Sequence, residues 1–452
     1  MDRSVDFLHG PLLGSIVRFT CPIAVSGMLQ QLFHAADTAV AGRFADSGAL
    51  AAVGANVEIV ALLVTLSAGL ASGANVLLAK LAGQGRGDQL SGALHTAVLL
   101  SLVLGIGGGL LGVFAARPVL SAIQTPEELL GRASGYLQIY LAGYPCLLLY
   151  DFGSAILRAG GDSRRPFWAL AASGVVNVVL NLFFVIVLRL GVYGVAIATD
   201  LATGLSAGMV LYWLWKETGA YHLSVKVLCL HWKYVRQLLA VGIPAAIQGA
   251  VFCLANVFVQ AAVNSFGNAA IAGSTIGMNL EYFAYYIVTA FGQTAATFTS
   301  QNAAAGNWKR CVDTLKLCLL LSALGSALFT VPLTVWRHVA AGCFTTDPAA
   351  AAAACQRIRI ILALEPLCGM YEVPAGVMRG SGHAALPAAL TVLGTCVFRV
   401  TWIFTVFQSF RSLDVLFLAF PLFWIVTALL VWLGWLRVRP LTHREQLERD
   451  LL

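Results

Sequence analysis

The chain has 452 residues, of which 59% are hydrophobic and only 11% charged, with a formal net charge of +7. Its mean hydropathy is +0.82, whereas an ordinary soluble domain carries about 25% charged residues, so a soluble globular protein is excluded and a polytopic helical membrane protein is expected. The positive balance is read as membrane topology rather than affinity for nucleic acid, and no nucleic-acid partner is expected.

The polar start, MDRSVDFLHG, reads as a mobile segment, and the hydrophobic region after it is too long for a cleavable signal peptide. One span needs about 20 apolar residues. Runs divided by Gly, Pro and charge predict twelve: 14–42, 48–76, 93–116, 132–153, 166–189, 192–215, 236–264, 269–298, 312–337, 355–377, 386–408 and 413–436. The stretch GIGGGLLG (105–112) resembles a nucleotide loop by composition alone; inside a span, small residues permit close helix packing. No GxxxxGK[ST] motif is present. The ten cysteines are scattered, as at Cys21, Cys146 and Cys253, with no CxxC and no Cys/His ligand spacing. No metal site, disulfide framework or cofactor is expected.

An even number of spans puts both termini on one side. That side collects 19 of the 28 Lys and Arg residues, the other side eight (Arg357 and Arg359 among them), and Arg399 lies within a span. The bias predicts cytoplasmic termini and residence in the plasma (inner) membrane.

The sequence repeats itself. Arg158 and Arg379 open similar R-x-x-G turns 221 residues apart, and YP at 144–145 stands 221 before EP at 365–366. Pro22 and Pro244 are 222 apart, Asn56 and Asn279 are 223 apart, as are Glu58 and Glu281, and Gly85 and Gly306 are 221 apart. Two homologous halves of six spans follow: residues 1–215, a basic linker 216–236, and residues 237–452. Six is even, so the repeats are parallel, an arrangement characteristic of secondary transporters.

These residues resemble a known family. DTAVAGRF, ALAAVGAN, YPCLLLYDFGSAILRAGGDSRRP, NVVLNLFF and GVYGVAIATD are similar to the N-terminal lobe of MATE (multidrug and toxic compound extrusion) transporters. VGIPAAIQG and MRGSGHAALP resemble the matching C-terminal segments. The pattern looks closest to the DinF-like branch. The resemblance implies an all-α protein of twelve transmembrane helices in two pseudo-symmetric lobes. It also implies a monomeric antiporter, not an enzyme, that exports small organic and often cationic compounds in exchange for protons or sodium.

Helix depth singles out one site. Asp37 lies 19 residues beyond Arg18, or about 28 Å along a helix. Asn177 and Asn181 lie about 17 and 23 Å into the fifth span, on one face. Thr199 lies about 11 Å into the sixth, which enters from the other side. The four residues share a depth in the half of the membrane away from the termini. The resemblance points to the same four as the cation-coupling set; some members carry a second acid where this chain has Asn181. Shifting by 221 or 222 puts Val259 or Gln260, Phe398, Trp402 and Phe420 at the corresponding places in the second half, so the acid has no counterpart there. An intramembrane acid is a functional candidate by default, and apolar surroundings favour the protonated form of a carboxyl group. Coupling by Asp37 is therefore expected, with helix pinning as the alternative.

Candidates for a substrate cavity are Gln30 and His34 in the first span, the polar stripe Asn256, Gln260 and Asn264 in the seventh, and Tyr282 and Tyr286 beside Glu281 in the eighth. Polar stripes on membrane helices line cavities or make interhelical hydrogen bonds, and aromatic walls with an acid suit cations. His34 also reads as a buried neutral hydrogen-bonder. The equivalence of Glu58 and Glu281 favours a shared structural role. Asp151 and Glu372, each seven residues before Arg158 or Arg379, are expected to pair with those arginines at structural turns.

A lipid-linked oligosaccharide flippase of related fold is the runner-up, disfavoured because Arg399 is the one basic residue expected deep in a span. A membrane-embedded enzyme needs a clustered acid/base pair at a membrane face, and a receptor or scaffold leaves the twofold repeat unexplained.

Overall fold

The computed structural model describes residues 5–44, 47–123 and 125–439, with the backbone alone for 47–50. Arg3, Arg444, Arg449 and the remaining tail, which enter the charge count above, lie outside the described residues.

The first half comprises α1 (Leu12–Phe44), α2 (Ser47–Gly83), α3 (Gly87–Ala122), α4 (Glu127–Ala142), α5 (Tyr144–Ala159), α6 (Arg164–Leu182) and α7 (Val192–Lys216). The second comprises α8 (Trp232–Asn264), α9 (Asn268–Ala304), α10 (Trp308–Val335), the short α11 (Arg337–Gly342), α12 (Pro348–Ile360), α13 (Gly369–Gly380), α14 (Ala385–Thr391), α15 (Phe398–Phe404), α16 (Val406–Ser409) and α17 (Leu413–Val438). Ten segments are long and apolar enough to cross a membrane, and α4 with α5 forms an eleventh, bent by 43°. The more polar α9 completes twelve, each overlapping one predicted span. The fold is all-α, in two halves of six.

The breaks inside spans recur. Pro145 starts α5 just after the bend, and its repeat partner Pro366 lies in the 3-10 stretch Leu362–Cys368 between α12 and α13. Proline has no N–H to donate and clashes with the preceding turn, so both halves interrupt their fourth span at the same place. The sixth helix of the chain, α6, ends in a π turn, Phe183–Val187, and α14 continues into another, Val392–Val397. Gly105 and Gly109 of α3 carry no phosphate loop: a Cβ on them would come within 2.6 Å of Pro145 and 2.7 Å of the Leu141 carbonyl oxygen.

The halves meet along α2 against α8 and α1 against α9. Gly69 and Gly242 let α2 and α8 touch backbone to backbone; a Cβ on Gly242 would lie 2.8 Å from the Leu70 oxygen. Thr20 and Thr294 hydroxyls are 2.8 Å apart. Thr297 donates to Asn75 Oδ1 at 2.7 Å, Ser300 to the Val76 oxygen at 2.7 Å, and Gln301 to the Ala159 oxygen at 2.9 Å. These bonds lie at the ends of the helices nearest the chain termini. Towards the opposite side, the outermost hydrogen bonds between halves among the described residues are Gln31 to Asn279 (3.4 Å) and the Thr65–Cys253 contact (3.7 Å). Asn279 and Cys253 each stand 11 residues from the end of their helix, so about the last 17 Å carries no such bond. The molecule is closed on the side of its termini and parted on the other.

Of the polar stretch MDRSVDFLHG, residues 5–10 are described, and they are docked rather than the mobile segment their polarity suggests. Phe7 is buried against Phe19 and Phe298, Val5 N–H donates to the Gly161 oxygen at 3.0 Å, and the Phe7 oxygen accepts from Asn302 (3.1 Å) and Arg310 (2.8 Å). The connection between halves is docked too: Arg165 pairs with Glu217, and Ser224 N–H donates to His95 Nε2 at 3.0 Å.

Candidate functional site

The four residues selected by depth are joined in one chain of hydrogen bonds. Asn181 Nδ2 donates to Asp37 Oδ1 at 2.5 Å and approaches Asn177 Oδ1 at 3.2 Å. Asn177 Nδ2 donates to Thr199 Oγ1 at 3.3 Å, and Thr199 in turn donates to the Val195 oxygen at 3.0 Å. Positions 177 and 181 are one helical turn apart on α6, which packs on both α1 and α7. The π turn follows directly after Asn181 and Leu182, a distortion frequent at functional sites. Asp37 is only 9% exposed, and its hydrogen-bond partner is a neutral amide. No Lys, Arg or His lies within ion-pair distance of it among the described residues.

A second acid escaped the sequence reading. Asp200 follows Thr199 on α7 and lies against the backbone of Gly143. Tyr136 of α4 is within electrostatic range of both Asp37 and Asp200. The signal was in plain view, since GVYGVAIATD ends on this aspartate.

The substrate-cavity candidates separate. Asn256, Gln260 and Tyr282 line a cavity in the second half, together with Phe252, Glu281, Arg357 and Arg399. Asn264 does not; it is exposed and accepts from Gln260 at 2.8 Å. Tyr286 packs instead on Gly27 of α1, at the seam. Gln30 is half-buried and His34 exposed, both on α1, away from this cavity. The His34 carbonyl oxygen accepts from Thr38 at 3.0 Å.

Three structural expectations need correction. Arg379 does pair with Glu372, at 2.9 Å, but Asp151 makes no ion pair with Arg158 among the described residues; Ser67 of α2 reaches it first, at 2.5 Å. Glu58 is exposed, whereas Glu281 is buried and held by Arg357 through two bonds of 2.7 Å, so the two do not share a role. Arg357, counted among the charges of a surface loop, is buried in α12, where Ser274 also accepts from it at 2.6 Å. Arg399 is therefore not the one basic residue deep in a span.

Comparison with known proteins agrees with this architecture. The MatE family model matches residues 22–183 and again 244–405, one match per half. The chain is 27% identical to "Probable multidrug resistance protein YpnP" of Bacillus subtilis (strain 168), over 88% of this chain and 89% of that one. It is 25% identical to an "FAD transporter" of Shewanella oneidensis, covering 75% and 76%. A solved structure described as the outward-facing conformation of a multidrug resistance MATE family transporter superposes with a TM-score of 0.89 at 21% identity, covering 97% and 98%, and shares the fold. The interval between the two family matches is 222 residues, and at that offset His34 corresponds to Asn256; in the fifth span, where Pro166 and Pro387 are 221 apart, Asn177 corresponds to Phe398, next to Arg399. The doubled family match, the twelve helices in two halves and the relatives along nearly the whole chain establish that this protein belongs to the MatE family of multi-pass membrane transporters.

Proposed function

We propose that this transporter is a secondary antiporter exporting small organic cations in exchange for protons, with Asp37 as the coupling carboxylate. The observation that carries the reading is a buried carboxylate whose hydrogen-bond partner is neutral. A charge held this way has no fixed counter-ion, so one arriving cation changes its balance. Both termini are cytoplasmic on the Lys/Arg bias, which makes the parted side the exterior and Asp37 reachable from it.

In the cycle, a proton from outside binds Asp37 and removes the anionic acceptor of Asn181. The bond network tying α1 to α6 and α7 rearranges, and the substrate leaves through the outer cleft. The halves, 1–215 and 237–452, then rock about the 216–236 linker and release the proton inside. Asn181 stands where a second acid occurs in some relatives, so one group titrates in this set. A monomer suffices for the cycle, and the chain fits the DinF-like branch.

Sodium coupling at the same site is the second reading. Asp37, Asn177 and Thr199 bring together the oxygen ligands that hard cations take. The flippase reading stays weaker: two arginines, Arg357 and Arg399, line the cavity of the second half, but Glu281 neutralises one of them.

The test is the purified protein in liposomes, loaded with ethidium under an imposed proton or sodium gradient. Proton-driven export, faster with an acidic exterior and lost in Asp37→Asn, is the expected result. Transport driven by sodium alone transfers the role to that ion. Full proton-driven export by Asp37→Asn removes the residue from the mechanism.

A further inference from the structure

The cavity in the second half takes no part in the coupling scheme. It has a volume of about 80 Å³ and lies among α8, α9, α12, α15 and α17, large enough for a small polar head group or a few waters. Its most unusual wall is Arg399, whose side chain is among the largest fully buried ones, with the residue 1% exposed. Nη1 donates to Asn256 Oδ1, and Nε has no partner at all. Three rings stand under the guanidinium, Phe252 at 5.1 Å, Phe420 at 4.9 Å and Phe423 at 4.4 Å.

Ring faces offset part of the cost of burying a cation. They do not supply acceptors for its five N–H groups, nor the counter-charge that a buried ion requires. Neither acid in the cavity wall forms an ion pair with Arg399 among the described residues. Both Glu281 oxygens bind Arg357, and Glu365 accepts from Cys368 Sγ at 3.6 Å. Arg357 is thus neutralised where it stands, and Arg399, among the described residues, is not.

We propose that this cavity binds the carboxylate or phosphate group of an aromatic organic anion whose ring system extends out through its open side. Arg399 and Asn256 hold the anionic group, and Phe252, Tyr282 and Phe420 face the carbons next to it. The inference rests on the export reading and extends its substrate class: the half opposite the coupling acid receives amphipathic anions, so the coupling cation and the substrate anion occupy separate lobes.

The experiment uses the full-length protein in phosphatidylcholine nanodiscs, with carboxyfluorescein as the anionic probe and ethidium as the cationic one, both followed by fluorescence anisotropy. Saturable carboxyfluorescein binding is expected, weakened about tenfold or more by Arg399→Gln and partly restored by Arg399→Lys. Ethidium binding by Arg399→Gln should match wild type, which also reports that the variant is folded. Absence of saturable carboxyfluorescein binding to the wild-type protein overturns the proposal whatever the variants do, and so does undiminished binding by Arg399→Gln. Affinity is expected to be equal when phosphatidylglycerol is added; displacement of the dye by that lipid assigns the cavity to a lipid head group and overturns a soluble substrate. Ethidium export under a pH gradient decides the export reading separately. If export proceeds and the anion does not bind, this inference alone falls; if the anion binds and no gradient drives export, the site stands and the antiport reading falls.

Discussion

The two halves use one scaffold to hold opposite charges. In the first, Asp37 is surrounded by neutral amides and a hydroxyl; in the second, Arg399 is surrounded by aromatic faces and one amide. His34 and Asn256 are repeat equivalents, and Arg399 stands next to Phe398, the repeat position of Asn177. Each pocket lies close to a π turn, Phe183–Val187 after Asn181 and Val392–Val397 before Arg399, and the two turns do not coincide at the repeat offset. Duplication thus preserved the scaffold while side chains and local distortions diverged. A buried charge left without a partner is a site where an arriving ion changes the energy most, and each half presents one.

The comparison is sharpened most by Asp37→Asn. Proton-driven ethidium export in liposomes should fall by about 100-fold or more, equivalent to ~2.7 kcal/mol of lost coupling, while ethidium binding and thermal stability stay near wild type. A large drop in melting temperature would instead make Asp37 a structural strut. The next largest effect separates the free cation of the second half from the paired one. Glu281→Gln leaves Arg357 buried without its counter-charge, and a loss of about 3–5 kcal/mol is expected, read as a lowered melting temperature in detergent. The double variant Glu281→Leu/Arg357→Met should recover most of it, as apolar replacement of a buried pair often does. If Glu281→Gln is as stable as wild type, the contrast between the two arginines collapses.

A smaller effect is expected at the seam. Gly69→Val forces a side chain against the Ala246 backbone, and overpacking of about 1–3 kcal/mol biases the protein away from closure on the side of its termini. Cysteine introduced as Ser300→Cys should then react faster with a water-soluble maleimide than it does with Gly69 in place. The smallest effect belongs to Thr199→Val. It removes the hydroxyl's bonds to Asn177 and to the Val195 oxygen; the first, the one within the site, is worth about 1 kcal/mol, and its loss should slow proton-driven export roughly fivefold without abolishing it. Loss as complete as that of Asp37→Asn would give Thr199 a direct part in ion binding.

The spans were legible because hydrophobic runs and their interruptions are local. All twelve predicted segments coincide with helices, and ends differ by a few residues where helices continue past the apolar core, as α2 does to Gly83. The quartet around Asp37 was legible for another reason: rise per residue is fixed, so depth can be counted from each end of a span. What failed was whatever depended on lateral contact. Arg357 and Glu281 are 76 residues apart, and nothing local says that one closes on the other. PAAAAAACQRIRI puts two arginines two residues apart, and only Arg359 reaches the surface, where it meets Asp414 at 3.2 Å. Helical geometry sends residues two apart in different directions, which was the available clue.

The strap formed by residues 5–10 bears on how the closed side opens. It is tied to the first half through Gly161 and Phe19, and to the second through Asn302, Arg310 and Phe298. A segment fastened to both banks of a seam must let go of one when the banks separate. The strap runs covalently into α1 of the first half, so its bonds to Asn302 and Arg310 and its contact with Phe298 are the ones to break. Their loss sets a threshold on inward opening that neither pocket controls, and shortening the chain before Gly10 lowers that threshold without touching either charge.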